Sequence, residues 1–102
     1  MSLAAHQSEA DWSRTFQSLF ELLGWVGYHI PDSRRATSSG FPDWVLVNHQ
    51  QQRLLFVELK REKGKVSEQQ HWWIDVLRSC GCEAYIWRPS DFAEAERVLK
   101  RP

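Results

Sequence analysis

Apolar positions along the chain switch between two periods. From Ser8 to Leu23, Trp12, Phe16, Leu19, Phe20 and Leu23 recur at three- and four-residue spacing, the stripe of a helix buried on one side. Ser8, with Asp11 three residues on, reads as a capping box, and Gly24 as the stop. Strand-like segments follow at Trp25 to Ile30, Asp43 to Val47 and Arg53 to Lys60. A polar loop, Pro31 to Ser39, separates the first two, and Asn48 to Gln52 turns between the next two. Ser67 opens a second helix, with Gln70 in the capping-box position and Trp73, Ile74, Leu77 and Cys80 as its inward stripe; Gly81 ends it. Cys82 to Arg88 reads as a fourth strand, broken by Pro89. A last helix starts at Ser90 or Asp91 and buries Phe92, Ala95, Val98 and Leu99. The order α-β-β-β-α-β-α predicts one α/β domain, with no internal repeat and no linker.

Charges interrupt this pattern where a core is expected. On the third strand, Leu54, Phe56, Glu58 and Lys60 share one face, and Leu55, Val57 and Leu59 the other. Both faces begin apolar, so the strand is expected to be central and covered on each side. Asp43 stands fifteen positions before Glu58, at the entry of the neighbouring strand, directly after Gly40-Phe41-Pro42. Glu9 falls on the inward stripe of the first helix, three residues before Trp12. A first-turn acid also complements the helix dipole, so spacing alone leaves both readings open.

Composition narrows the class. At 102 residues, 42% hydrophobic and 25% charged, the chain fits a single soluble globular domain. No apolar run reaches the ~20 residues of a membrane span, and the first residues do not read as a signal peptide. Thirteen basic and thirteen acidic residues balance to zero, which argues against a general nucleic-acid coat protein but not against a nucleic-acid enzyme. Cys80 and Cys82, one residue apart, suit neither a structural disulfide nor a zinc site; they suit a reducing cytoplasm. The four histidines show no metal-ligand spacing.

Two carboxylates ending adjacent strands make a hard, oxygen-rich site of the kind that holds Mg²⁺ or Mn²⁺ with waters and phosphate oxygens. The backbone carbonyl of Leu59 is a further candidate ligand. A lysine beside them can orient or deprotonate a water, or offset charge building on a phosphate. Asp43 alone is a common Pro-Asp turn, and Glu58 with Lys60 alone is a common ion pair. Their combination, in this order of elements, is the specific signal.

The motifs Gly40-Phe41-Pro42-Asp43, Phe56-Val57-Glu58-Leu59-Lys60 and Gly64-Lys65-Val66-Ser67-Glu68-Gln69-Gln70 resemble those of the PD-(D/E)xK nuclease superfamily. Within it the chain is most similar to the VRR-NUC family, in particular its short stand-alone phage and bacterial members. Gly24-Trp25, Tyr28-His29 and Trp87-Arg88-Pro89-Ser90-Asp91 extend the resemblance over roughly residues 8 to 99. It implies a restriction-endonuclease-like α-β-β-β-α-β core with a mixed sheet flanked by helices, plus a C-terminal helix. It implies Asp43 and Glu58 as metal ligands, Lys60 as the catalytic lysine, Glu9 as the acid of the first helix and Gln69 as a supporting glutamine. Capping logic by itself favours Gln70 over Gln69. The resemblance further implies an active, Mg²⁺-dependent endodeoxyribonuclease selective for branched DNA such as four-way (Holliday) junctions. A two-fold substrate suits a homodimer.

Arg34, Arg35, Lys63, Lys65 and His29 are candidate DNA contacts; each alone also reads as a solvated charge or, for His29, a plain strand residue. Two other classes compete: a nuclease-fold module that binds DNA without turnover, and a restriction-type enzyme that reads a base sequence. The second is disfavoured because 102 residues leave little room for a separate recognition element.

Overall fold

The computed structural model describes residues 6–31 and 37–101. Helix α1 (Glu9–Leu22) leads into strands β1 (Val26–His29), β2 (Trp44–Asn48) and β3 (Arg53–Leu59). Helix α2 (Glu68–Ser79), strand β4 (Glu83–Trp87), a 3₁₀ turn (Pro89–Asp91) and helix α3 (Phe92–Lys100) complete the chain. The order matches the sequence expectation, with β1, β3 and β4 trimmed by a residue at one or both ends and β2 shifted one residue on.

The four strands form one sheet in the order β1-β2-β3-β4. β1 and β2 are antiparallel, as are β2 and β3, while β3 and β4 run parallel with α2 as the crossover. The sheet is therefore mixed, and β3 is central as the pattern predicted. Trp12, Phe16 and Phe20 of α1 and Ala95, Val98 and Leu99 of α3 pack with Leu46, Leu55, Val57 and Leu59 into one core. That face carries nearly all of the fully buried apolar surface, the dominant stabilising term.

The opposite face is covered only in part. Ile74 of α2 is buried, whereas Leu77 is half-buried and Cys80 is exposed. Leu54 remains 45% exposed, so β3 is fully covered on one face and only partly on the other. The reason is width: a helix is only about 10–12 Å across, and α2 packs chiefly against β4, leaving the β1 side open. Phe92 likewise stays 39% exposed, because the 3₁₀ turn places it at the first residue of α3, beside Trp12 rather than under the helix.

Two side chains lock the far end of the sheet. Arg53 bonds both carboxylate oxygens of Glu83, at 2.7 and 2.9 Å, and the carbonyls of Val98 and Arg101 at 2.8 and 2.9 Å. Trp25 Nε1 donates to the Leu99 carbonyl at 3.0 Å. Arg53 ties the C-terminus of α3 to the strand that carries Glu58 at its other end, and Trp25 ties it to the start of β1.

Candidate active site

Each side chain of the site is placed by a local rule. The β2–β3 register sets Trp44 opposite Val57, so Asp43, one residue before β2, comes level with the end of β3. There the Leu59 amide donates to Asp43 Oδ2 at 3.0 Å. The N–H and C=O of a strand residue point to the same neighbour, so the Leu59 carbonyl faces the Asp43 side as well. The next residue faces the other way: Lys60 N donates to the Trp87 carbonyl at 3.1 Å. Trp12 Nε1 donates to that same carbonyl at 3.0 Å, so the buried indole of α1 fixes the turn at which Lys60 leaves the sheet.

Helix α2 brings in the next group. Ser67 caps it with a full capping box, in which the Gln70 amide donates to Ser67 Oγ and Gln70 Oε1 accepts from Ser67 N. The other end of the same side chain, Nε2, donates to Glu58 Oε2 at 3.0 Å. The glutamine contact expected of Gln69 is therefore made by Gln70. Adjacent helix residues point about 100° apart, and Gln69 is turned into a neighbouring concavity with Ser38, Glu68 and Trp72.

Gly40 permits this approach. Its φ is +86°, and a Cβ there would lie 2.7–2.9 Å from the backbone and Cβ of Gln69 and the amide of Gln70. Trp73 Nε1, donating to the Ser39 carbonyl at 2.9 Å, holds the same segment against α2.

These elements enclose a cleft of about 420 Å³ whose lining includes Glu9, His29, Asp43, Glu58, Lys60 and Gln70. Glu58 is 2% exposed, and its Oε1 has no hydrogen-bond partner among the described residues. Burial, and then the charge of Asp43, push the Glu58 carboxyl up to about 8, with Lys60 opposing. Burial also raises Asp43, against the Leu59 amide and the charges of His29 and Lys60. Buried Glu58 and half-buried Asp43 face one cleft and cannot both ionise freely, so both carboxyls are pushed up and deprotonation of the pair is resisted.

Glu9 departs from the sequence expectation. It is exposed, in the first turn of α1, and it lies 3.8 Å from Lys60 Nζ. It pairs with the lysine and lines the same cleft as Asp43 and Glu58, where its charge adds to the rise of the Glu58 carboxyl. Among the described residues, no three His, Cys, Asp or Glu side chains converge as a preformed metal cluster. The donor set able to hold a hard cation is Asp43, Glu58 with its unpartnered oxygen, and the Leu59 carbonyl; it fits the oxygen-rich coordination of Mg²⁺.

The remaining candidates scatter. His29 lines the cleft, its ring 4.8 Å from that of Trp44. Lys63 and Lys65 are exposed on the loop after β3 and do not line the cleft. Arg34 and Arg35 lie outside the described residues. Sequence reasoning missed Ser13, Arg14 and Gln17, which line the cleft from α1. Their signal was present: Glu9, Ser13 and Gln17 follow at i, i+4 and i+8 on one polar row of the helix.

The VRR-NUC domain family model matches residues 7–91, most of the chain. The chain belongs to the VRR-NUC family. A Fanconi-associated nuclease 1 homolog of Schizosaccharomyces pombe is 29% identical over 77 residues, covering 68% of this chain and 11% of that protein. The chain thus spans about a ninth of that relative's length. A solved structure titled VRR_NUC domain superposes with a TM-score of 0.74 over 93% of this chain and 97% of its own, at 20% identity, which establishes the fold. The VRR-NUC assignment and the mixed α/β fold agree with the expectation from the motifs. Among the described residues, no helix is long and apolar enough to cross a membrane.

Proposed function

We propose that this VRR-NUC domain is a Mg²⁺-dependent endonuclease that hydrolyses phosphodiester bonds in branched DNA, four-way (Holliday) junctions among them, and acts as a homodimer. The observation that carries the reading is the convergence of Asp43, Glu58 and Lys60 on one cleft, with a buried Glu58 oxygen left unpartnered.

Asp43, Glu58 and the Leu59 carbonyl would hold the ion, with Mn²⁺ able to substitute. When bound, it supplies Lewis acidity toward a phosphate oxygen and lowers the pKa of a coordinated water. Glu58 must first give up its proton, and Gln70 holds it in the orientation to do so. Lys60 presents its ammonium to the same cleft, where it offsets charge developing on the phosphate and orients the attacking water. Glu9 steadies that ammonium from the mouth and adds negative charge near Glu58. His29, Lys63, Lys65, Arg34 and Arg35 are the proposed contacts to the DNA backbone.

The dimer is supported by the two-fold symmetry of a four-way junction and by the exposed Val26, Tyr28, Val47 and Leu54 on one sheet face. The free Cys80 and Cys82 support a reducing, cytoplasmic setting.

Labelled junction DNA incubated with purified protein and Mg²⁺ tests the reading. Wild type cuts it, and Lys60→Ala binds it with unchanged affinity but cuts about 10²–10³-fold more slowly, the scale of losing one charge-stabilising group. Binding without cutting by wild type, or cutting by Lys60→Ala at the wild-type rate, contradicts it. Light scattering during gel filtration separates dimer from monomer.

A further inference from the structure

Beside the cleft lies a second concavity, of about 450 Å³, lined by Ser38, Glu68, Gln69 and Trp72. We propose that it receives one unstacked nucleobase of the DNA substrate, with Trp72 as the stacking surface. This deepens the nuclease reading above and rests on it.

Trp72 is 52% exposed, a large apolar surface left in water on an otherwise ordered helix. It is also braced. Phe56 on the sheet meets Phe41 at 5.8 Å and 87°, Phe41 meets Trp73 at 5.0 Å and 75°, and Trp73 meets Trp72 at 5.2 Å and 79°. The Trp73–Ser39 hydrogen bond fixes the middle of this edge-to-face series. A rigid indole at the end of such a series loses little entropy when a planar partner stacks on it.

The polar lining selects the kind of partner. A carboxylate at Glu68 disfavours a phosphate. A nucleobase edge suits it: an exocyclic amine donates to Glu68, while the Gln69 amide and Ser38 hydroxyl both donate and accept. Stacking on an aromatic side chain with hydrogen bonds to the base edge is how proteins hold a base taken out of the helix.

Position links this pocket to the chemistry. Gln69 lines it, and Gln70, the next residue, bonds Glu58 in the cleft. Consecutive Cα atoms are about 3.8 Å apart, so the two concavities share one wall of α2. In continuous duplex every base is paired and stacked, and none is free to enter. A branch point, flap or frayed end supplies one. The pocket therefore gives the domain a physical reason to prefer such DNA near its cut.

The test uses the 102-residue chain and a flapped duplex carrying 2-aminopurine at the unpaired position beside the branch, in buffer with EDTA to prevent cutting. The same fluorophore inside continuous duplex is the control. Wild type quenches the branch-point fluorophore and not the control. Trp72→Ala loses that quenching and binds the flapped DNA about tenfold more weakly, the usual scale of one base–aromatic stack. Trp72→Phe recovers part of both, and continuous duplex binds all three alike. Circular dichroism shows each variant folded, as expected for a half-exposed side chain. Equal quenching and affinity in Trp72→Ala, from a wild type that cuts DNA with Mg²⁺, overturns the pocket and leaves the nuclease reading standing. A wild type that neither binds nor cuts overturns both.

Discussion

Gln70 joins the start of α2 to the buried acid of β3: one end of its side chain closes the capping box on Ser67, and the other donates to Glu58 Oε2 at 3.0 Å. Cap and site are therefore one device. Removing this side chain loosens the helix and frees the carboxylate together.

Gln70→Ala is expected to lose about 1 kcal/mol of stability, the scale of a lost cap, and to lower metal-dependent cleavage. Gln69→Ala is expected to leave stability unchanged, because Gln69 neither closes the cap nor contacts Glu58 but lines the neighbouring concavity. Urea unfolding of both variants and the cleavage rate of Gln70→Ala check this. Equal losses of stability in both variants, or wild-type cleavage by Gln70→Ala, would show that the capping contact does not serve the site.

Gly40 gives a second expectation. Gly40→Ala places a Cβ within 2.7–2.9 Å of Gln69 and Gln70 at a φ of +86°. The left-handed backbone alone costs about 1–3 kcal/mol, and the clash pushes the Gly40–Asp43 segment away from α2. Gly81→Ala has the same φ but meets nothing within 4 Å. Both variants should therefore melt lower, while only Gly40→Ala loses cleavage. Thermal unfolding beside activity separates strain from displacement of the site.

The Glu58 carboxyl fixes a pH dependence. Its pKa is raised from an ordinary 4.5 to about 8, so the folded state keeps a proton that the unfolded chain releases. The unfolded state thus binds fewer protons between these values, and stability falls as pH rises through that window. As far as this group is concerned, metal-free protein should melt highest below about pH 4.5 and progressively lower toward pH 8. Binding of a cation by Glu58 requires that proton to leave. Mg²⁺ affinity should rise up to about tenfold per pH unit below pH 8, with proton release on binding. Titration calorimetry in buffers of different ionisation enthalpy measures that release. Affinity that is flat from pH 6 to 8 would contradict it.

The sequence carried the element order because its signals are local. Ser8 and Ser67 cap the first two helices, and Gly24 and Gly81 follow them at positive φ. It also carried the convergence of Asp43 and Glu58, since strand register follows from alternation and a short turn. It did not reveal what Glu9 faces. Helical periodicity gives a direction around the axis, not whether the first turn is buried, so an inward residue ended exposed beside Lys60. The choice between Gln69 and Gln70 was legible from capping alone, whereas the motif resemblance pointed one residue away. Ser8 accepts from the Asp11 amide, and the Asp11 carboxylate also pairs with Arg14. Partial cover of the second sheet face depends on where α2 lies, which no single segment encodes.

The most direct measurement of the central claim compares wild type with Asp43→Asn on labelled four-way junction DNA, with and without Mg²⁺. Asn keeps the side-chain shape and an acceptor for the Leu59 amide, so the fold is expected to hold, while one of the two acid charges is gone. Cleavage that requires Mg²⁺ in wild type and is abolished in Asp43→Asn, with junction binding retained, is the predicted result. Cleavage by Asp43→Asn at the wild-type rate, or by wild type in EDTA, would contradict it.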